Sequence, residues 1–507
     1  MNGYFSMVLH THMPYVRKNG AWPVGEDWLY QAMSETYVPL LGMLAQLEGE
    51  GLRDCLSLTL TPVLCEQLAD PYVQGRFADY LETMSEHAGD DARDFVYFSD
   101  DARKALAEAY RDEYARKHAA FEAIGGDILA ALTSFEEAGL VETLGCSATH
   151  AFLPGLGDWR AVRAQVILGL ESHRKHLGTN PRGFWIPECA YRERLERLLG
   201  SEGVEYVLVD PSALGGLPST RAYRVSGSSL CAIARSESAH RNVWDEDTGY
   251  PTDGHYMDST KYYDGSGLHY WRVTGPRVSI EHKEVYELVP AMGRALDHAR
   301  HFFDQVADEL AAGAAGGTPP LVLASFDTEL FGHGWREGVY WLEITLRSLA
   351  SSESVRPVLP SRYLETYPPS ESVELLETSW GTDRDHSTWM NPETEWMWEE
   401  IGDAQQRLYE LLDASSGGGA ERDRALRQAA REVLLMESSD WPYMVAKGRA
   451  GDYAIERFRA HSRRFGTIAR GLGEDGSIQD NTPLAEIEEV DNLFSDLDLS
   501  VVFGGGG

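Results

Sequence analysis

Apolar residues along this chain gather in short runs that alternate with longer stretches patterned at helical spacing. Gly3 to Leu9 reads as an apolar strand that stops at a polar cluster, His10-Thr11-His12. Similar runs recur at Cys55 to Leu64, Val141 to Cys146, Gly183 to Pro187, Val204 to Val209 and Pro320 to Phe326. Helical patterns such as Trp159 to His176 and Val289 to Ala312 separate them. Repeated β and α units of this kind predict a parallel sheet, and polar residues at the strand ends suggest a barrel whose site lies at the carboxyl ends of its strands.

Between about Asp210 and Gly275 the pattern turns irregular and rich in Gly, Ser, Tyr and Asp, too long for an ordinary connection, and reads as an inserted lid or subdomain. From about Glu395 to Leu472 the chain is helical again, interrupted at Ser415 to Ala420. The predicted organisation is therefore a catalytic unit over residues 1–375 that includes the 210–275 insertion, a helical domain over 376–472, and an acidic tail over 473–507. That tail ends in four glycines and is expected to be loosely held.

Composition narrows the partners. The 507 residues carry 80 Asp plus Glu against 45 Lys plus Arg, a net charge of −35, and a surface of that sign repels phosphate backbones and anionic lipid. No nucleic acid and no membrane are expected, and a neutral substrate suits the charge better. The acidity serves either plain solubility or a cytoplasm of high salt, where screening makes dense carboxylates tolerable. No run of about 18 apolar residues appears, and Met1 to Met7 lack a basic segment followed by an apolar one, so a cytoplasmic location is expected. Five scattered cysteines without a CxxC pair argue against a disulfide framework and a thiolate zinc site.

Three strand-end clusters could carry chemistry. His10 and His12, one residue apart, point the same way from a strand and could bind a metal or a sugar hydroxyl. Glu188 directly follows the apolar run ending at Pro187, and Asp327-Thr328-Glu329 with His333 ends another. Taken singly, each admits a structural role: a cap, a salt bridge, a metal ligand. Two carboxylates on different barrel strands among histidines and aromatic residues fit glycosidic cleavage, which needs one anion beneath an oxocarbenium-like centre and one proton donor at the leaving oxygen. Trp22, Trp28, Trp271, Trp389, Trp396 and Trp398 stand near Gly, Asn or charged residues, and sugar rings stack on such surfaces; core packing is the alternative for each.

The segments HTHMPYVRKNGAWPVGEDWLYQAMSETYVPLL, SATHAFLP, RGFWIPECAYR, FDTELFGH, SWG followed by DHSTWMNPETEWMW, and SSDWPYM run in order from about Asn2 to Ala469. Together they resemble the successive motifs of family 57 glycoside hydrolases, in particular the 1,4-α-glucan branching enzymes. The resemblance implies an α/β fold, a (β/α)7 barrel with an inserted subdomain and a C-terminal helical domain, no cofactor and no required metal. It puts the nucleophile on Glu188 and the general acid/base on Asp327. It also implies that His10, His12 and His150 line the subsite of the cleaved sugar and that Trp28, Trp271, Trp389 and Trp398 stack glucan. Asp440, from the helical domain, and His333, after the acid/base, are then further substrate-binding residues, and Tyr223 is the lid tyrosine associated with branching.

The implied substrate is an α-glucan such as amylose, glycogen or maltooligosaccharide, joined into α-1,6 branches by a retaining mechanism. Hydrolysis or 4-α-glucan transfer at the same site is the alternative within this chemistry. Two departures favour water as acceptor: the stretch from Tyr191 to Tyr223 is short for the family, and Gly334 stands where many members carry a second tryptophan. A metal-dependent polysaccharide deacetylase is the alternative from another class, since HTH plus strand-end carboxylates could hold a divalent ion.

Overall fold

A computed structural model describes residues 3–21, 24–245, 247–314, 317–414, 419–472, 478–479 and 482–504. Among these residues ten strands form: β1 (Gly3–Thr11), β2 (Leu56–Leu60), β3 (Val141–Leu144), β4 (Gly183–Trp185), β5 (Tyr206–Val209), β6 (Ala222–Val225), β7 (Cys231–Ala234), β8 (Leu321–Asp327), β9 (Val355–Pro357) and β10 (Ser372–Val373). Parallel pairing runs β3-β2-β1-β8 on one side and β4-β5-β7 on the other.

Main-chain hydrogen bonds join the two halves. Gly145 N–H donates to the Gly183 carbonyl at 3.0 Å and Trp185 N–H to the Gly145 carbonyl at 2.8 Å, while Ser236 N–H reaches the Leu323 carbonyl at 2.6 Å. Seven parallel strands thus close a ring, and β6, β9 and β10 add edges to it. Alternation along the strands sorts side chains. Phe5, Met7 and Leu9 of β1 pack outward with the helices, whereas Val8, with Leu144, Trp185, Leu208 and Leu323, fills the barrel. Positions 10 and 327 continue the inward row past the apolar filling, which places polar groups at the carboxyl mouth.

Two expectations about organisation change. The stretch 210–275 is not one inserted lid: it contains β6 and the barrel strand β7, whose four residues are too short and Gly/Ser-flanked to stand out in the pattern. Only its later part leaves the barrel, and there it packs on a long helical hairpin, Pro71–Tyr97 and Asp101–Ala123, that intervenes between β2 and β3. Tyr270 and Ser266 donate to Asp91 on that hairpin, Tyr270 at 2.7 Å and Ser266 at 2.5 Å.

The tail is also packed. Leu484, Ile487, Leu493, Phe494, Leu497, Val502 and Phe503 are buried in the same core as the helical domain. Tyr15 and Arg17 of the barrel donate to the main-chain carbonyls of Val490 and Glu489, at 2.9 and 2.5 Å. The fully buried Asp491 accepts from Arg464 beside His461. Apolar spacing rather than acidic composition decides the fate of that segment.

The helical domain, with Glu395–Asp413, Ala420–Met436, Asp440–Lys447 and Tyr453–Gly471, shares one hydrophobic core with the barrel helix Trp159–Leu177. Its approach is fixed by buried polar contacts: Thr149 Oγ1 donates to the Leu434 carbonyl at 2.5 Å, and Glu437 accepts from Gln165 at 2.7 Å and Gln405 at 2.8 Å. No helix among the described residues is long and apolar enough to cross a membrane.

Candidate active site

Glu188 follows β4 in a single 3-10 turn with φ 61°, and His150 and Cys189 share the left-handed region at φ 54° and 47°. Non-glycine residues adopt it at a cost, and surrounding contacts must hold them there. Around Glu188 those contacts are explicit. Ser439 Oγ donates to its Oε1 at 2.7 Å, Trp380 Nε1 donates to its Oε2 at 2.7 Å, and the Trp380 N–H binds its carbonyl at 3.0 Å. Trp380 sits on a loop anchored by the Thr378–Tyr191 bridge and by Arg384, which pairs with the fully buried Asp210. Neither Trp380 nor Ser439 was singled out from the sequence, although SWG and SSDWPYM contain them.

Three imidazoles crowd the same floor. His10 stacks on Trp185 with centroids 4.5 Å apart and meets His150 Nε2 through its own Nε2 at 3.0 Å. His12 stacks on His150 at 4.0 Å; its Nε2 lies 3.0 Å from Asp440 Oδ1 and its Nδ1 3.0 Å from Thr61 Oγ1. Burial, with the neighbouring His12 charge, holds His10 and His150 well below the ordinary imidazole range. For His12 burial acts in the same direction but is outweighed, because Asp440, Glu329 and Glu188 favour the cation and raise it. His12, His150 and Asp440 are close enough to share a metal, yet each is already engaged: His12 with Asp440, His150 with Ser439 Oγ at 2.9 Å.

Asp327 ends β8 across the barrel mouth, and no protein hydrogen bond reaches its carboxyl among the described residues. Glu329 beside it accepts from the His12 N–H at 3.2 Å and from Tyr37 Oη at 2.5 Å. Burial pushes Asp327 up to about 6 against the opposing charge of His12. Burial pushes Glu188 up to about 7; Ser439 and Trp380 oppose the rise, while Asp440 and Asp327 add to it. Taken singly, the higher value falls on Glu188, the reverse of a nucleophile–acid division. The proton belongs to the pair, however, and only Glu188 has donors that favour its anion.

A reaction needing one carboxylate and one carboxylic acid runs while the pair holds a single proton. Activity should therefore fall at low pH as both become protonated and at high pH as both ionise. We expect a bell in kcat/KM with limbs near about 6 and about 7. A rate that keeps rising well past the upper limb would rule out a proton-donating carboxyl.

The remaining positions divide. Trp389 is buried, stacked on Phe152 at 4.8 Å, and accepts at its carbonyl from Trp398 Nε1 at 2.9 Å. The Trp398 ring lies so close to Gly155 that a Cβ there would come within 2.6 Å of it. These two tryptophans wall the loop that carries His150, and Trp28 is half-buried between the two main cores. Trp271 lies on the hairpin-packed segment, where Arg103 and Lys261 sit 5.4 and 4.3 Å from its ring. His333 is bound to Glu35 at 2.7 Å and raised by it despite burial. Tyr223 departs from expectation. It is fully buried in β6 with its hydroxyl on the Pro218 carbonyl at 2.9 Å, so it is a core residue and not the lid tyrosine that the resemblance implies. Trp22 lies outside the described residues.

Residues 6–262 match the sequence model of glycosyl hydrolase family 57, and residues 400–502 match that of the 1,4-alpha-glucan branching enzyme C-terminal domain. With that architecture and that mouth of paired carboxyls, the chain belongs to glycosyl hydrolase family 57.

Within the family it is similar to a 1,4-alpha-glucan branching enzyme of Thermococcus kodakarensis, 37% identical over 97% of this chain and 78% of that protein. The crystal structure of a branching enzyme from Pyrococcus horikoshii superposes with a TM-score of 0.93 at 36% identity, covering 99% of this chain and 97% of that one. An α-amylase from Thermotoga maritima superposes at 0.90 with 27% identity over the whole of both chains.

Proposed function

We propose that this protein is a 1,4-α-glucan branching enzyme acting by retention, with Glu188 as nucleophile and Asp327 as general acid/base. The observation that carries the reading is the asymmetry of the two carboxyls. Glu188 is gripped on both oxygens by neutral donors, while the carboxyl of Asp327, half-buried at the strand end, meets no hydrogen-bond partner among the described residues.

A Glu188 oxygen attacks C1 of a glucosyl unit as the C1–O4 bond breaks, and the Asp327 proton goes to O4 of the departing chain. Asp327 then takes the proton of an acceptor 6-hydroxyl, whose oxygen displaces Glu188 from C1. One α-1,4 bond is lost and one α-1,6 bond formed, with no redox change. His12, held toward its cation by Asp440, lends positive charge beside both carboxyls, and neutral His10 and His150, whose facing nitrogens bind each other, form the floor beneath the cleft. Trp389 and Trp398 shape the neighbouring wall. The helical domain completes the glucan cleft through Asp440.

Hydrolysis at the same site is the second reading. It is favoured by the burial of Tyr223, which removes that tyrosine from any lid, and by the likeness to an amylase. Branching leads because the relatives named as branching enzymes are the more similar, at 36–37% identity.

The test is incubation with amylose followed by counting reducing ends before and after an α-1,6-specific debranching enzyme. Ends that appear only after debranching support branching; ends that appear without it mean hydrolysis; neither would defeat the α-glucan reading. The assay also checks Tyr223. Tyr223→Phe removes one hydroxyl bond to a carbonyl, worth about 1 kcal/mol of stability. It should leave the branched fraction unchanged, whereas a shift toward free reducing ends would return Tyr223 to a lid role.

A further inference from the structure

Ser439 has one hydroxyl proton and two polar neighbours, and that settles a direction. Its Oγ lies 2.7 Å from Glu188 Oε1 and 2.9 Å from His150 Nδ1. A carboxylate can only accept, so the serine proton points at Glu188 and its oxygen accepts from Nδ1–H of His150. Neutral His150 then has a bare Nε2. The partner of that nitrogen is His10 Nε2 at 3.0 Å, which must carry the hydrogen. The far nitrogen, His10 Nδ1, is buried with no partner in the protein. Both rings are held neutral by burial and by the charge on His12, the state this arrangement requires.

We infer that Ser439, contributed by the helical domain, is a positioning residue for the nucleophile, fixing Glu188 Oε1 at the end of a one-directional hydrogen-bond chain from His10 through His150. The inference rests on Glu188 being the nucleophile. Its second support is the rigidity of the strap that carries Ser439. Glu437 is clamped by Gln165 and Gln405, Ser438 bridges Ala151, Ser439 N–H donates to the His150 carbonyl at 3.0 Å, and Asp440 binds His12. Three consecutive residues of the helical domain, Ser438 to Asp440, are thus tied to the barrel loop and strand end that hold the imidazoles, and Glu437 before them is tied to the barrel helix. Ser439 is fully buried, and its side chain has no freedom to serve elsewhere.

A serine held this way does more than pack. With Trp380 on the other oxygen, it sets the plane of the Glu188 carboxylate, so that the remaining lone pairs face the cleft. It also favours the ionised form, since its donor opposes the upward push of burial. Seating of the helical domain on the barrel therefore completes the nucleophile, which neither part assembles alone.

The experiment uses the full-length protein and its Ser439→Ala, Ser439→Thr and Glu188→Gln variants, with an α-maltosyl fluoride and with amylose. Ser439→Ala should unfold near the parent temperature. It should lose about 10- to 100-fold in kcat, the effect of one hydrogen bond to a charged group, with KM little changed. Its pH profile should shift to higher pH, because the Glu188 anion has lost a donor. Ser439→Thr, which keeps the hydroxyl, should recover most of the loss.

Ser439→Ala within twofold of the parent and with an unmoved pH profile would overturn the inference, as would a loss confined to KM. Should the alanine variant fail to fold, Ser439→Cys keeps the volume with a weaker donor, and parent-like kinetics in it would be equally contradictory. Substantial turnover by Glu188→Gln would instead defeat the assignment of the nucleophile, a separate failure.

Discussion

Glu188→Gln is expected to abolish turnover, by on the order of 10⁴-fold or more, because an amide oxygen cannot form and release the glycosyl ester that divides the reaction into two steps. The fold should survive and tighten. A buried carboxyl pushed up to about 7 is an unfavourable charge near neutral pH, and glutamine removes it while its amide oxygen can still accept from Ser439 or Trp380. The thermal midpoint should equal or exceed that of the parent, as when a residue kept for chemistry costs stability. Steady-state rates on amylose together with a melting curve check both halves. Wild-type turnover would remove Glu188 from the reaction, and a collapsed melting point would mean that the carboxylate is a structural keystone.

Asp327→Asn should lose on the order of 10²–10⁴-fold on amylose, the range for removing a general acid. The loss should depend on the leaving group. With α-maltosyl fluoride the departing fluoride needs no proton, so the first step should return toward the parent rate. The second step still lacks a base, and the glycosyl-enzyme should accumulate. Rapid-quench mass measurement of the intact variant would show the added maltosyl mass. An equal loss with amylose and with the fluoride would place Asp327 outside proton transfer and assign it to binding. The environment of Asp327 sharpens the expectation: among the described residues asparagine disturbs no hydrogen bond there, so a lost rate reflects the missing proton.

The legible part of the fold was that carried by strong periodicity. Six of the seven ring strands stand out as apolar runs, and the polar residues that end β1, β4 and β8 pointed to the mouth where His10, Glu188 and Asp327 lie. The strand that stayed hidden, β7, is the four-residue CAIA set among Gly, Ser and Arg, and with it hidden the neighbouring β6, which buries Tyr223 between β10 and β7, falls inside the expected lid. The tail misled through composition, since its glycines and acids outnumber the Leu, Ile, Val and Phe that bury it.

The site divides in a similar way. Carboxylates and histidines advertise chemistry by their type, whereas Ser439 and Trp380 act only through where two loops far apart in sequence bring a hydroxyl and an indole N–H. Such donors are set by tertiary distance, which spacing along the chain does not encode. Trp389 shows the converse: its type suggested an open sugar platform, but its ring is enclosed against Phe152 and Tyr443.

The claim on which everything else depends is a covalent glucosyl–Glu188 intermediate. The direct measurement is to react the native protein with an activated 5-fluoro-α-glycosyl fluoride, which slows the second step, then digest it and map the modified peptide by tandem mass spectrometry. The account predicts one sugar on the GFWIPECAYR segment, attached at Glu188, with activity recovered as an acceptor glucan discharges it. A label on any other residue, or no label together with a product of inverted anomeric configuration, would contradict it.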